Sequence, residues 1–475
     1  MSSLHRHTIP VSLALDSFRE YCHPERSEGS AVQGFTAPKR LKTLAAVLIA
    51  ASCFFLPQLV AQPNVTKPIK LQDPRKFPVE QIQSDAGTAA WWFFALLNWP
   101  EMPNQRGVPD PTRSIGDSGP TVWESFKNES EIFLQNGLRP AGWESLTELP
   151  MARLHNSKPA GPVRQYRPTA SQIAALGPVD SSWIHYLAEP VMIDGQQICD
   201  SNSNVIQYDV RSDRDYFDYV VNNPAGYPLY NIQGQTAALN DPSFTFDFPK
   251  DTLEIKASWR ILEPSADASR YWTAIGVYWD DKHILHSARI GLTGLHIISK
   301  ALPNWFWITF EQVDNPTTTY KYFLGQKGAA LGPNPNYNSA LTPINQQWQQ
   351  ALSGTKWQFY ALMDTQTEFV NSSQQPILMS NSQMETYFQP NSSCISCHKI
   401  SSIGPKQNLR LQLFYPLNPY YGAVNFQDVV NQQHPGELFK AMDFTWSLRN
   451  AHYKISTSKT KKKPRAKAVA QLNHP

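Results

Sequence analysis

Between Thr252 and Ile261 the chain alternates cleanly. Leu253, Ile255, Ala257 and Trp259 fall on one side; Glu254, Lys256, Ser258 and Arg260 fall on the other. A period of two marks a strand with one apolar and one polar face. Short runs rich in aromatic and β-branched residues lie around it: FTFDF (Phe244–Phe248), YWTAIGVYW (Tyr271–Trp279), GLTGLHIISK (Gly291–Lys300) and NWFWITFEQ (Asn304–Gln312). Pro, Gly, Asn and Asp separate them. Residues 241–380 therefore read as antiparallel strands of a sandwich-like or barrel-like layer.

Upstream, over residues 62–240, the rhythm is helical and loop-rich. AAWWFFALL (Ala89–Leu97) runs apolar until Asn98-Trp99-Pro100, and proline stops a helix. In VWESFKNESEIFL, Trp123, Phe126, Ser130 and Phe133 fit one helical face. A third helix is expected over Arg211–Val221. Downstream, a short helix is expected at Gln383–Phe388 and a terminal one in ELFKAMDFTWSL (Glu437–Leu448). The expected class is α+β: a helical N-terminal region, a β-rich region, and a C-terminal segment over residues 381–452. A basic tail, 453–475, reads as a solvated end.

Composition adds a compartment. Proline (38) and aromatic residues (12%) are abundant while charge is low at 17%, which suits a loop-rich extracytoplasmic fold. Lys39, Arg40 and Lys42 precede an apolar run, Leu44–Leu56, and a small-residue site at Leu59-Val60-Ala61. That is the layout of a secretory signal, and residues 1–61 read as an export leader. Residues 1–37, with CHPERSEGS inside them, resemble a translated intergenic repeat ahead of the natural start. The formal charge of +3 gives no reason to expect nucleic acid as a partner, and no membrane-spanning helix is expected after the leader. No G-x-S-x-G elbow, H-E-x-x-H pair or phosphate loop occurs.

Five cysteines are present. Cys22 and Cys53 leave with the leader, and Cys199 reads as a packed small hydrophobe. Cys394 and Cys397 stand in SSCISCHKI, as C-x-x-C-H with His398. With five cysteines and twelve histidines in 475 residues, chance yields this pattern with a probability of only about 0.001. A structural zinc site wants four ligands, usually two such pairs, and no second pair exists. A thioredoxin-like dithiol wants a βαβ setting that is not seen here. Covalent haem needs two thiols three residues apart and an adjacent imidazole, all of which are present.

In this motif the chain resembles bacterial c-type cytochromes. The resemblance implies one covalent haem c, thioether bonds at Cys394 and Cys397, and His398 as an axial ligand to iron. Gly404-Pro405 after the motif is also similar to that family. A second resemblance, over about residues 240–400, is to the β-sheet cytochrome c′-beta group and its lysine-crosslinked relatives. It is carried by Phe248-Pro249 with Lys256, and by Lys300 followed by Trp305, Trp307 and Phe310. It implies Lys256 as a crosslinking candidate. Met442 and His296 are the candidate second axial ligands, with Met379, Met384, His434 and His452 also open. The expected role is one-electron transfer with a redox partner protein. Two rivals remain: an open-site haem oxidoreductase acting on a small nitrogen compound or peroxide, and a β-sandwich binding module with a Trp-rich groove and an accessory haem.

Overall fold

The computed structural model describes residues 69–145, 168–187, 192–193, 196–197, 206–263, 266–279, 285–315, 322–323, 326–327, 336–385, 389–405, 409–413 and 420–454. The expected leader, Cys199 and the tail from residue 455 lie outside them. The described residues all belong to one compact unit.

The class is α+β. Eight strands make one sheet: β1 (Lys127–Asn128), β2 (Ile184–Tyr186), β3 (Gln207–Ser212), β4 (Leu253–Ile261), β5 (Thr273–Trp279), β6 (Leu285–Ser299), β7 (Phe306–Gln312) and β8 (Tyr360–Gln366). The order runs β1-β3-β4-β6-β5-β2, and β7 joins β6 on one edge and β8 on the other. β6 carries the branching: its first half pairs with β5 and its second half with β7, while β4 runs along its opposite edge. The sheet is mixed, because β2 pairs with β5 in parallel. Within residues 241–380 the strands of this sheet pair antiparallel, as expected from sequence, and the parallel strand β2 lies upstream; the sandwich-like arrangement is not observed. The strands join into a single sheet, and helices and an irregular segment cover its faces.

The alternation read in β4 holds. Leu253, Ile255, Ala257 and Trp259 are all buried on one face. Their neighbours across the ladder, Ile297, Leu295, Ile308 and Phe310, extend that apolar face. The helix Ala86–Leu97 covers it. Asp85 caps the helix by accepting from Thr88 N at 3.2 Å, and the expected stop at Asn98 is observed. Trp91 meets Phe310 edge-on at 4.8 Å and stacks on Trp348 at 5.4 Å. Its indole donates to Asn345 Oδ1 at 3.0 Å, so the buried N–H is satisfied.

Several expected elements fall out differently. Phe244–Phe248 forms no strand, and its three phenylalanines are buried. VWESFKNESEIFL breaks into a turn, strand β1 and a short helix, Glu129–Ile132. The break has a cause: Asn128 and Glu131 form a capping box that starts a new helix, and Arg211 takes the Glu124 and Phe126 carbonyls. The helix expected from Arg211 begins at Arg214, with Asp213 as its cap. Gln383–Glu385 is turn; residues 386–388 lie outside the described set. The terminal helix in ELFKAMDFTWSL is absent. Lys440–Ala441 pairs instead with Ser402–Ile403, and a tight turn follows.

Charge is also buried at the end of the sheet. His185, fully buried, bridges Asp209 Oδ2 at 2.6 Å and Glu124 Oε1 at 3.0 Å, and Arg211 closes on Asp209 at 2.7 Å. Burial would raise the Asp209 carboxyl, but Arg211 and His185 outweigh it and hold it down at about 2.

Trp91→Ala should lower the unfolding free energy by about 3–5 kcal/mol through loss of packing and an unpaired Asn345 amide. Urea unfolding of the two proteins measures it; a loss below 1 kcal/mol would show that the helix is not seated on the sheet.

Candidate functional site

The polar face of β4 does not look into water. Three rows cross the sheet on that side. Ser212, Glu254, Ile298, Trp307 and Gln366 form one; Val210, Lys256, His296, Thr309 and Asp364 the next; Tyr208, Ser258, Gly294 and Glu311 the third. Residues 379–385 and 389–399 lie across them. Tyr208 donates to Gln383 O at 2.8 Å, Asn381 Nδ2 to Thr309 Oγ1 at 3.0 Å, and Ser382 N to Glu311 Oε1 at 2.7 Å. Gln366 accepts from Ile395 N at 3.3 Å and donates to Ser393 Oγ at 3.2 Å. Gly294 is required here: a Cβ on it would stand 2.7 Å from Ser258 Oγ and 2.9 Å from Asn381 Nδ2. Alternation read from sequence as apolar-in, polar-out is apolar-in, polar-covered.

The covering segment ends in the helix Cys394–Lys399, which carries the C-x-x-C-H motif. Both cysteines are buried and form no disulfide. Burial, with Glu385 next, pushes the Cys394 thiol well up; burial pushes Cys397 to about 12. A redox-active dithiol has a lowered thiol pKa, so these two lack the character of one. Among the described residues no group of three or more His, Cys, Asp or Glu is arranged to hold a metal ion.

His398 is fixed from behind. Its Nδ1 donates to the Phe444 carbonyl at 2.7 Å, which leaves the Nε2 lone pair free to bind a metal. Trp307 packs 4.5 Å from the ring, and Trp446 Nε1 donates to Cys397 O at 3.2 Å. Burial lowers His398 to about 4, and the charges of Lys256 and His296 add to it. The imidazole is therefore neutral at physiological pH, the form that ligates.

Sequence distance conceals how the other candidates gather. Lys256 and His296 are direct cross-strand partners on β4 and β6. His296 Nε2 lies 3.4 Å from Glu385 Oε2 but makes no hydrogen bond of normal geometry. Lys256 Nζ sits 4.7 Å from the centre of the Tyr208 ring. Burial would raise Glu385, yet His296 and Lys256 hold it below the usual carboxylate range. The charges of Lys256 and Glu385 act on Cys394 and His398 alike. The structure thus brings Lys256 and His296 to the motif. Glu385 and Tyr208, which sequence reading missed, complete the group. Tyr208 lies in a strand the pattern did not reveal, and Glu385 in a segment read as helix.

Met442 is fully buried, and its N–H donates to Ser401 O at 2.9 Å. It stands two residues before Phe444, whose carbonyl holds His398 Nδ1. Lys300 joins no cluster with Lys256; it pairs with Asp443 at 2.7 Å and Asp247 at 3.1 Å. No family model, curated protein or solved structure matches the chain.

On the same face Glu254 is 5% exposed, with Oε2 unpartnered. Burial, then the nearby Glu129, raises it to about 8, against Ser447 and Lys256. A carboxyl raised in the folded state holds a proton that the unfolded chain has lost, so stability falls as pH rises from about 4.5 through about 8. Glu254→Gln should abolish that decline and raise stability at pH 9 by about 2 kcal/mol. Thermal unfolding from pH 5 to 9 checks it; parallel profiles for both proteins would refute it.

Proposed function

We propose that this chain is an exported monohaem c-type cytochrome, and that it passes single electrons to and from a redox partner protein. The observation that carries the reading is the setting of C-x-x-C-H: two buried, unpaired thiols on one helix, beside a neutral imidazole whose Nδ1 is fixed by a backbone carbonyl. Bound haem c supplies a one-electron iron couple. Cys394 and Cys397 would hold it covalently and His398 Nε2 would ligate its iron. The Phe444 carbonyl orients the imidazole and raises its donor strength. The expected leader places the chain where such attachment takes place.

The residues fit this group better than the rivals. Zinc lacks a further ligand set among the described residues, and the raised thiols oppose dithiol exchange. The Trp-rich groove of a sugar-binding module finds no support. Trp91, Trp123, Trp259, Trp272, Trp305, Trp307 and Trp357 are fully buried, and no tryptophan is among the exposed large hydrophobic residues described. Among the described residues no helix is long and apolar enough to cross a membrane.

For the second axial position His296 is the better placed. Its Nε2 is buried without a normal hydrogen bond, on the polar sheet face beside the motif. Met442 opens the turn whose Phe444 carbonyl holds His398 Nδ1. A second reading is favoured by one observation, the Lys256–His296–Glu385 group. Over an open iron those three side chains could hold and deliver protons to a small bound substrate, which is the open-site oxidoreductase.

Expression with a periplasmic haem-maturation system should give a pyridine haemochrome of covalent haem c. The Cys394→Ser, Cys397→Ser double variant should lose covalent attachment altogether; its retention, or no haem in the parent, overturns the proposal. The parent should be low-spin and indifferent to carbon monoxide, and His296→Ala should become high-spin and bind it. A parent that is already high-spin and binds carbon monoxide selects the open-site reading.

A further inference from the structure

Six described non-glycine residues have positive φ, and four of them gather at one place: Asp251 (72°), Trp305 (61°), Asp443 (47°) and Phe444 (67°). Such backbone is unfavourable for side chains with a Cβ, most of all for a large one. It persists where surrounding contacts over-determine it, and it concentrates at functional sites. Asp443 and Phe444 are the two central residues of a turn closed by Thr445 N donating to Met442 O at 3.0 Å. Two positive φ values make this the mirror-image, type I′ geometry, which normally takes Asn and Gly.

The contacts that hold the turn are specific. Lys300 Nζ reaches both Asp443 oxygens at 2.7 Å. Phe248 N donates to Asp443 Oδ2 at 2.8 Å and Trp305 Nε1 to Oδ1 at 3.3 Å. Lys300 is itself held, since its N–H donates to Thr252 O at 2.9 Å and its ammonium lies over the Trp305 ring at 5.6 Å. Asp443 is thus tied to the sheet by three donors. The carbonyl of the next residue, Phe444, is the one that accepts from His398 Nδ1.

We propose that Lys300 and Asp443 are positioning residues for the axial histidine: their ion pair clamps the strained turn so that the Phe444 carbonyl stays on His398 Nδ1. The clamp sets the tautomer and the donor strength of the ligand from outside the site. Neither residue touches the ring. The inference rests on the cytochrome reading for its purpose, but the clamp itself is a property of the chain.

The test compares the haem-loaded parent with Asp443→Asn, Lys300→Met and Lys300→Arg. Asp443→Asn keeps the shape and an acceptor but loses the charge; Lys300→Met keeps the stem over Trp305. Both should raise the midpoint potential and let the His398 Nδ1 proton exchange about tenfold faster. Lys300→Arg should restore parental values. Thermal unfolding is followed in parallel, because a purely structural role would lower stability and leave potential and exchange alone; that result overturns the proposal. In the same chains made without haem, the imidazole nitrogen shifts should report Nδ1–H in the parent and mixed tautomers in Asp443→Asn. A parent that acquires no haem on maturation yet shows this contrast would sink the cytochrome reading and uphold the clamp. Identical tautomers in both proteins would overturn the clamp whether or not haem is attached.

Discussion

The pleat of the central sheet is the constraint on which the rest of the molecule depends. Successive side chains of a strand point to opposite faces, so one residue of slip would exchange the two sides completely. In β4 that rule sends Leu253, Ile255, Ala257 and Trp259 into the apolar core, and Glu254, Lys256 and Ser258 to the covered polar face. The register with β6 then sets Lys256 against His296. Core and site are the two sides of one alternation.

Covering the polar face has a cost that the structure meets with specific partners. A buried polar group without a hydrogen bond is destabilising. Here Glu311 takes Ser382, Thr309 and the Phe310 carbonyl take Asn381, and Gln366 takes Ile395 and Ser393. Two of the atoms left without partners, His296 Nε2 and Glu254 Oε2, lie in the central rows of the covered face. Backbone strain gathers on the same side, at the turn that grips His398. The apolar side is dominated by aromatic packing.

Cys394, Cys397 and His398 were legible in the sequence because their spacing is local and rare. The five-residue motif needs no tertiary contact to be recognised. The strand β4 and the Ala86–Leu97 helix were legible for the same reason: each repeats its own period without interruption. Elsewhere local pattern was overruled. The helical rhythm of Trp123, Phe126 and Phe133 yielded to the Asn128 capping box and to Arg211. The amphipathic Glu437–Leu448 yielded to a strand pairing and to the clamp on Asp443. Tyr208 and Glu385 gave no signal, since nothing in their neighbourhoods in sequence marks them as facing the cysteines.

The sequence by itself determined the α+β class, the apolar face and the three motif residues, because those follow from periodicity and spacing within a few residues. Only the tertiary structure decided that the polar face is buried, that Lys256, His296 and Glu385 meet there, and that Phe444 holds His398. These depend on strand register, on the branching of β6 and on a segment more than a hundred residues downstream of β4 folding back over it. Contacts between residues so far apart are set by how whole surfaces pack, and no local pattern encodes them.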